Sequence, residues 1–176
     1  MNIIHRQLAA LVLLVPAGAM AGGSLNLERD VTVNAPAEEV WQVIRDYCAI
    51  EVWHPAVTSC ESEGGEPGVG DLRVLTLGNG KQLREFLTEY NDGRGYSYSI
   101  PEADPEALPV SNYDSTLSVE PLGDGRSRVV WQGSFDRANP EQPATEQMND
   151  ELAMNVVSSV YEGGLAMIRD LAEAMK

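Results

Sequence analysis

The sequence predicts an α+β fold: a curved antiparallel sheet of about seven strands wrapped around one long C-terminal helix. Three observations carry this. A short alternating segment is followed at once by an amphipathic helix. Further strand-like segments then run on, separated by glycine-bearing turns. The chain closes on its longest helical pattern.

The first strand is "LNLERDVTV", Leu25 to Val33, where alternation ends in Val-Thr-Val. "NAPAEEVWQVIRDY" then opens a helix. Asn34 is placed to cap it, Pro36 fits the first turn, and Glu38 and Glu39 complement the positive end of the dipole. Val40, Ile44 and Tyr47 share a face at i, i+4, i+7, with Trp41 and Val43 beside it. Pro55 requires the helix to stop before it.

Six strands follow in the pattern. "AVTSCESE" leads to the Gly-rich "GGEPGVG", and "DLRVLTL" leads to Asn79-Gly80. "KQLREFLTEY" leads to Asn91-Asp92-Gly93, and "RGYSYSI" runs into "PEADPEALPV". "NYDSTLSVE" leads to Gly123-Asp124-Gly125, and "RSRVVWQGSF" ends the series. Asn-Gly and Asp-Gly supply the positive φ angles of tight hairpins, so the strands form an antiparallel meander.

"PATEQMNDELAMNVVSSVYEGGLAMIRDLAEAMK" reads as the long helix. Val157, Tyr161, Gly164, Ile168, Leu171 and Met175 fall on one face. Gly163 and Gly164 each cost the helix about 1 kcal/mol relative to alanine. A pair of them marks close backbone approach or room left for something else. With strands of mixed polarity opposite, a ligand cavity is the expectation, and Gly164→Leu should fill it while leaving the fold intact.

The first residues bear on compartment. Arg6, the apolar run Leu8 to Val15 and Ala19-Met20-Ala21 have the order of a secretory signal peptide, residues 1–21. Residues 22–176 then form a single domain, and a short bacterial-type leader implies the periplasm. Two cysteines remain, Cys48 and Cys60, and an oxidising compartment favours a bridge between them. The formal charge of −15 is unsuited to nucleic acid or anionic headgroups; it would suit a basic protein partner or serve solubility alone, and solubility is the commoner reason for an acidic surface. No second apolar stretch is long enough to span a membrane, so an integral membrane protein is not expected.

Candidate site residues are few. Glu85 in "LREFLTE" has Leu83 and Leu87 at i±2, so it faces inward if they do. It is then a polar anchor in an apolar cavity, or half of a salt bridge to Arg73 or Arg84. His54 is the one histidine beyond the leader, held between Trp53 and Pro55 inside the proposed bridge. It is either a ligand contact or a corner brace bonded to backbone. Trp41 and Trp131 read as core, while Trp53 borders the cavity mouth. No CxxC, Cys/His cluster, nucleophile elbow or phosphate loop is present, and neither "YNDGRG" nor "EADPE" matches a calcium loop. No cofactor or metal is called for.

"VNAPAEEVWQVIRDY", "WHPAVTSCE", "GVGDLRVLTLGNG", "LREFLTEYNDGRGYSYSI", "LPVSNYDSTLSV" and "YEGGLAMI" together resemble the polyketide cyclase/dehydrase branch of the START-like, SRPBCC helix-grip superfamily. The resemblance runs from about Leu25 to the C-terminus. A secreted member of this size is similar to the MxaD-type periplasmic proteins associated with methanol oxidation, and plant abscisic-acid receptors look like distant relatives. The resemblance implies a hydrophobic-ligand cavity gated by the Gly78-Asn79-Gly80 hairpin and latched by Leu108-Pro109-Val110. The gate is shorter than in the hormone receptors and lacks their Ser-Gly-Leu-Pro, so their co-receptor mechanism does not carry over. By the same resemblance His54 falls where those receptors place a ligand-binding lysine, and Tyr98, Tyr113, Val157 and Tyr161 join Glu85 at cavity-lining positions.

Three functions follow as expectations. The first is a periplasmic protein that holds a small apolar or amphipathic ligand. The second is an accessory protein for a periplasmic, methanol-type dehydrogenase and its cytochrome. The third is a cyclase/dehydratase-like enzyme using Glu85, His54 and Tyr113 as an acid/base set.

Overall fold

The protein is described by a computed structural model over residues 24–62 and 67–175. The signal-peptide reading of residues 1–21 lies outside the described residues. Alternating burial builds seven strands: β1 (Leu25–Val33), β2 (Val57–Ser62), β3 (Leu72–Leu77), β4 (Gln82–Asn91), β5 (Gly95–Glu102), β6 (Val110–Gly123) and β7 (Arg126–Arg137). Three helices accompany them: α1 (Ala37–Ile44), α2 (Ile50–Trp53) and α3 (Asp150–Ala174).

The strands lie in the order β1-β7-β6-β5-β4-β3-β2, every neighbouring pair antiparallel. β2 through β7 are therefore the expected meander, turned by hairpins in which Gly80 and Gly93 hold φ of 80° and 75°. β1 pairs with β7 at the far edge, so α1 and α2 carry the chain from one edge of the sheet to the other. The result is the predicted α+β helix-grip fold, with α3 lying against β1 and β7.

The first helix starts later than Asn34 suggests. Pro36 occupies the N-cap with no side-chain cap. The Asn34 backbone N–H and Nδ2 instead donate to Glu173 Oε1 at 2.7 and 2.9 Å, tying the entry of α1 to the last turns of α3. Val40 and Ile44 are buried on the expected face with Trp41 beside them, but α1 ends at Ile44, so Tyr47 is buried from the turn that follows and not from the helix.

α3 also starts later than its sequence pattern, because Asn149 stops the preceding turn. Its Oδ1 accepts from the Leu152 backbone N–H at 2.7 Å. Val157, Tyr161, Gly164 and Ile168 are buried as expected, Leu171 is half-buried, and Met175 is exposed. A disulfide joins Cys48, between α1 and α2, to Cys60 in β2. It pins the helical corner to the β2 edge.

Candidate functional site

Between the sheet and α3, residues of β2 to β7, α2 and the adjoining loops enclose a cavity of about 90 Å³. Its walls are mainly apolar: Ile50, Val57, Leu75, Leu77, Leu83, Ile100, Leu108 and Val160 among them. Polar atoms come from His54, Glu85, Tyr98, Tyr113 and Trp131. Each arrives for a local reason.

Glu85 is 4% exposed, inward between Leu83 and Leu87 as the alternation of β4 requires. Its register partner on β3 is Arg73, itself 1% exposed. Arg73 Nε and Nη2 donate to Glu85 Oε2 at 2.8 and 2.5 Å, and Nη1 donates to the Tyr47 carbonyl. The guanidinium lies 3.9 Å from the Tyr47 ring centroid and 5.4 Å from that of Tyr98. Burial opposes the charge on Arg73, but Glu85 together with Tyr96, Tyr47 and Tyr98 around it outweighs that and holds its proton more firmly than usual. The pair is thus satisfied charge for charge, and removing one partner would strand the other. Arg73 does not line the cavity; Glu85 does.

His54 is also buried. Its Nε2 lies 3.1 Å from the Val160 carbonyl on α3, and its Nδ1 accepts from the Ala56 N–H at 3.2 Å. A carbonyl cannot donate and an amide cannot accept, so Nε2 carries the proton and the ring is neutral. Burial holds its pKa down at about 4, even though the bond to Val160 favours the charged form. Both nitrogens are engaged by backbone, and the ring stands perpendicular to that of Trp131 with centroids 5.8 Å apart.

The hydroxyls form one network. Ser115 Oγ donates to the Gln132 carbonyl at 2.9 Å and accepts from Trp131 Nε1 at 3.0 Å. Tyr161 Oη lies 3.1 Å from Ser115 Oγ and 2.8 Å from Tyr113 Oη. Tyr98 Oη accepts from Trp131 Nε1 at 3.2 Å and faces Tyr113 Oη at 3.4 Å. Burial raises the pKa of Tyr98 and Tyr113 well above the usual value, and of Tyr161 to about 12. All three remain protonated donors at neutral pH.

Two glycines make this packing possible. A Cβ on Gly164 would sit 2.6 Å from Trp131 Cζ3 and 2.9 Å from His54 Cδ2. The helix glycine therefore serves close approach, and the room it was expected to leave is already filled by Trp131 and His54. Gly164→Leu would clash there. Gly133 likewise admits Tyr161 Oη, which a Cβ would meet at 2.5 Å. Its signal was legible as an isolated glycine inside "WQGSF".

Of the expected site residues, His54, Glu85, Tyr98, Tyr113 and Leu108 share the cavity wall. Trp53, Val157, Tyr161 and Gly164 do not line it. Trp53 packs edge-on against Trp131 at 5.8 Å, and Tyr161 stacks on Trp131 at 4.7 Å from behind. Trp131, read as core, is both core and wall. Gly78, Asn79 and Gly80 are exposed at the tip of the β3–β4 hairpin, while its base residue Leu77 reaches the cavity. Pro109 and Val110 are buried behind Leu108. The hairpin is tied to the β5–β6 loop: Asn79 Nδ2 donates to the Glu106 carbonyl at 3.0 Å, and Lys81 Nζ pairs with Asp104 and Glu106 at 2.9 and 2.6 Å.

Among the described residues no cluster of His, Cys, Asp or Glu is placed to hold a metal. None of the described helices is long and apolar enough to cross a membrane.

This fold is shared with solved structures. XoxI from Bacillus cereus is 29% identical, with 82% of this chain and 93% of that chain covered at a TM-score of 0.68. An uncharacterized protein from Bacillus thuringiensis is 30% identical, covering 83% of this chain and 97% of that one, also at 0.68. A protein from Nitrosospira multiformis is 27% identical, with coverages of 83% and 94% and a TM-score of 0.65. No curated protein matches the chain. The family model described as polyketide cyclase/dehydrase and lipid transport matches residues 24–173. The chain belongs to that family, within the SRPBCC type of helix-grip proteins.

Proposed function

We propose that the protein is a periplasmic binding protein that holds a small apolar or amphipathic molecule between the sheet and α3. The observation that carries this is the cavity itself: apolar walls with a few polar atoms converging from separate elements. The disulfide suits an exported protein, and the family description suits a ligand carrier.

Size limits the occupant. A space of about 90 Å³ holds about three waters or a molecule of roughly five non-hydrogen atoms. Such a ligand gains at most about 7 kcal/mol, so its Kd lies in the micromolar to millimolar range. A lipid would need the gate hairpin Gly78-Asn79-Gly80 and the latch Leu108-Pro109-Val110 to part. The ties between these loops are exposed and weakened by salt, so they are the natural place to open.

Native mass spectrometry of protein purified from its own source tests the reading. A bound mass that is lost on denaturation supports it. Protein that is ligand-free as isolated, and takes up no small apolar probe, contradicts it.

The accessory reading, with a methanol-type dehydrogenase and its cytochrome, draws on the charge of −15, which would suit a basic partner. Co-purification of either protein would favour it. A cyclase/dehydratase-like reaction would draw on Glu85, His54 and Tyr113. His54 would first have to release its backbone bonds.

A further inference from the structure

Within the ligand-binding reading, on which it rests, the cavity also specifies a chemical class. Both contacts from Arg73 fall on Glu85 Oε2. Oε1 has no hydrogen-bond partner among the described residues. It is an acceptor with nothing to accept from, on a side chain that lines the cavity.

A weakly held donor stands nearby as well. Ser115 commits its single proton to the Gln132 carbonyl, so Tyr161 must donate to Ser115. Tyr113 must then donate to Tyr161, at 2.8 Å. The chain of donors leaves Tyr98 with only the 3.4 Å contact to Tyr113 for its proton. That bond is long, so the Tyr98 O–H is the most weakly held proton of the chain where it lines the cavity, and the one a ligand can draw away.

Charge decides what should fill the gap. The Arg73–Glu85 pair is neutral as a unit, so a neutral ligand adds no uncompensated charge to the interior. An anion would meet the Glu85 oxygen, and a cation would leave a net positive charge buried. His54 offers no further polar atom, because both its nitrogens are taken. One group donates once and accepts at the same atom in so small a space: a hydroxyl.

We propose that the cavity takes a small neutral aliphatic alcohol, its hydroxyl donating to Glu85 Oε1 and accepting from the Tyr98 O–H, its apolar body against Leu75, Leu83 and Ile100. Water can satisfy the same two atoms in the empty cavity. A hydrocarbon that displaces it cannot replace those bonds.

The test compares four probes of one shape on the wild-type chain at pH 7: 2-methyl-1-propanol, 2-methylbutane, 2-methylpropylammonium and 2-methylpropanoate. Dissociation constants are read from the quenching of Trp131, which borders the cavity. The alcohol should bind about tenfold more tightly than the hydrocarbon and than either ion. A hydrocarbon or ion that binds as well as the alcohol overturns the alcohol class while leaving the binding reading intact. If none of the four saturates, the binding reading itself falls. Tyr98→Phe, which deletes one hydroxyl and leaves the ion pair in place, should weaken the alcohol several-fold and leave the hydrocarbon unchanged. Equal losses for both probes would count against the proposed bond.

Discussion

His54 shows how much a single buried side chain constrains this molecule. The folded state keeps it neutral at a pKa of about 4, against 6.5 when it is unfolded. A depressed pKa means that its contribution is complete above pH 6.5 and is lost as the pH falls toward 4, where the unfolded chain binds the proton and the folded one resists it. The loss amounts to about 3 kcal/mol at pH 4. The lowered carboxylates, Asp30, Asp104, Asp136 and Glu162, lose their contribution only at and below the ordinary carboxylate range. Denaturant unfolding of wild type and His54→Gln between pH 7 and 4 isolates the effect: the wild type should show a steeper loss in that window. Parallel curves would mean that His54 titrates normally. The adjacent glycines give a second residue-scale prediction. Gly164→Ala should destabilise by about 1–3 kcal/mol through overpacking against Trp131 and His54. Gly163→Ala, whose Cβ would only touch Pro55 at 3.4 Å, should stabilise by about 0.5–1 kcal/mol. Thermal melts of the two variants should move in opposite directions.

At the scale of elements, the disulfide and the ion pair hold the cavity's edges. Cys48 and Cys60 close a short loop that fixes α2 against β2, and reducing the bond should cost about 2–3 kcal/mol. Alkylation of denatured, unreduced protein should label neither cysteine. Arg73→Met leaves Glu85 buried and unpaired and should cost about 3–5 kcal/mol, whereas Arg73→Met with Glu85→Leu should recover much of that loss. Unfolding curves of the single and double variants read the difference. This pair also shows where sequence was informative. Glu85 could be placed inward because β4 alternates from Leu83 to Leu87, and Arg73 was already one of two possible partners. The bridge followed from compartment and cysteine number. The partner of His54 could not be read, since Val160 stands on a helix 106 residues away. Nor could the β1–β7 pairing, because turn chemistry speaks only for neighbours in sequence. Asn34 misled for the opposite reason: a good local cap was claimed by Glu173 from across the fold.

At the scale of the whole fold, a curved sheet is closed over one face by α3, with a small, mainly apolar space left between the two beside α2. The fold and the β2–β7 meander were legible from pattern and turns, and the family from the resemblance of its motifs. The size of the space was not, because it depends on how far Trp131, Tyr161 and His54 fill the grip, which only packing decides. Its smallness favours a compact ligand, or a larger one admitted by parting the loops that Asn79 and Lys81 hold together. The most direct measurement is a methyl-resolved NMR titration with 2-methyl-1-propanol. Saturable shifts confined to Ile50, Val57, Leu75, Leu83, Ile100 and Leu108 are the expected result. Shifts that are absent, or that spread over exposed Val52, Val69 and Leu122 without saturating, would contradict the account and leave the space a flaw in packing.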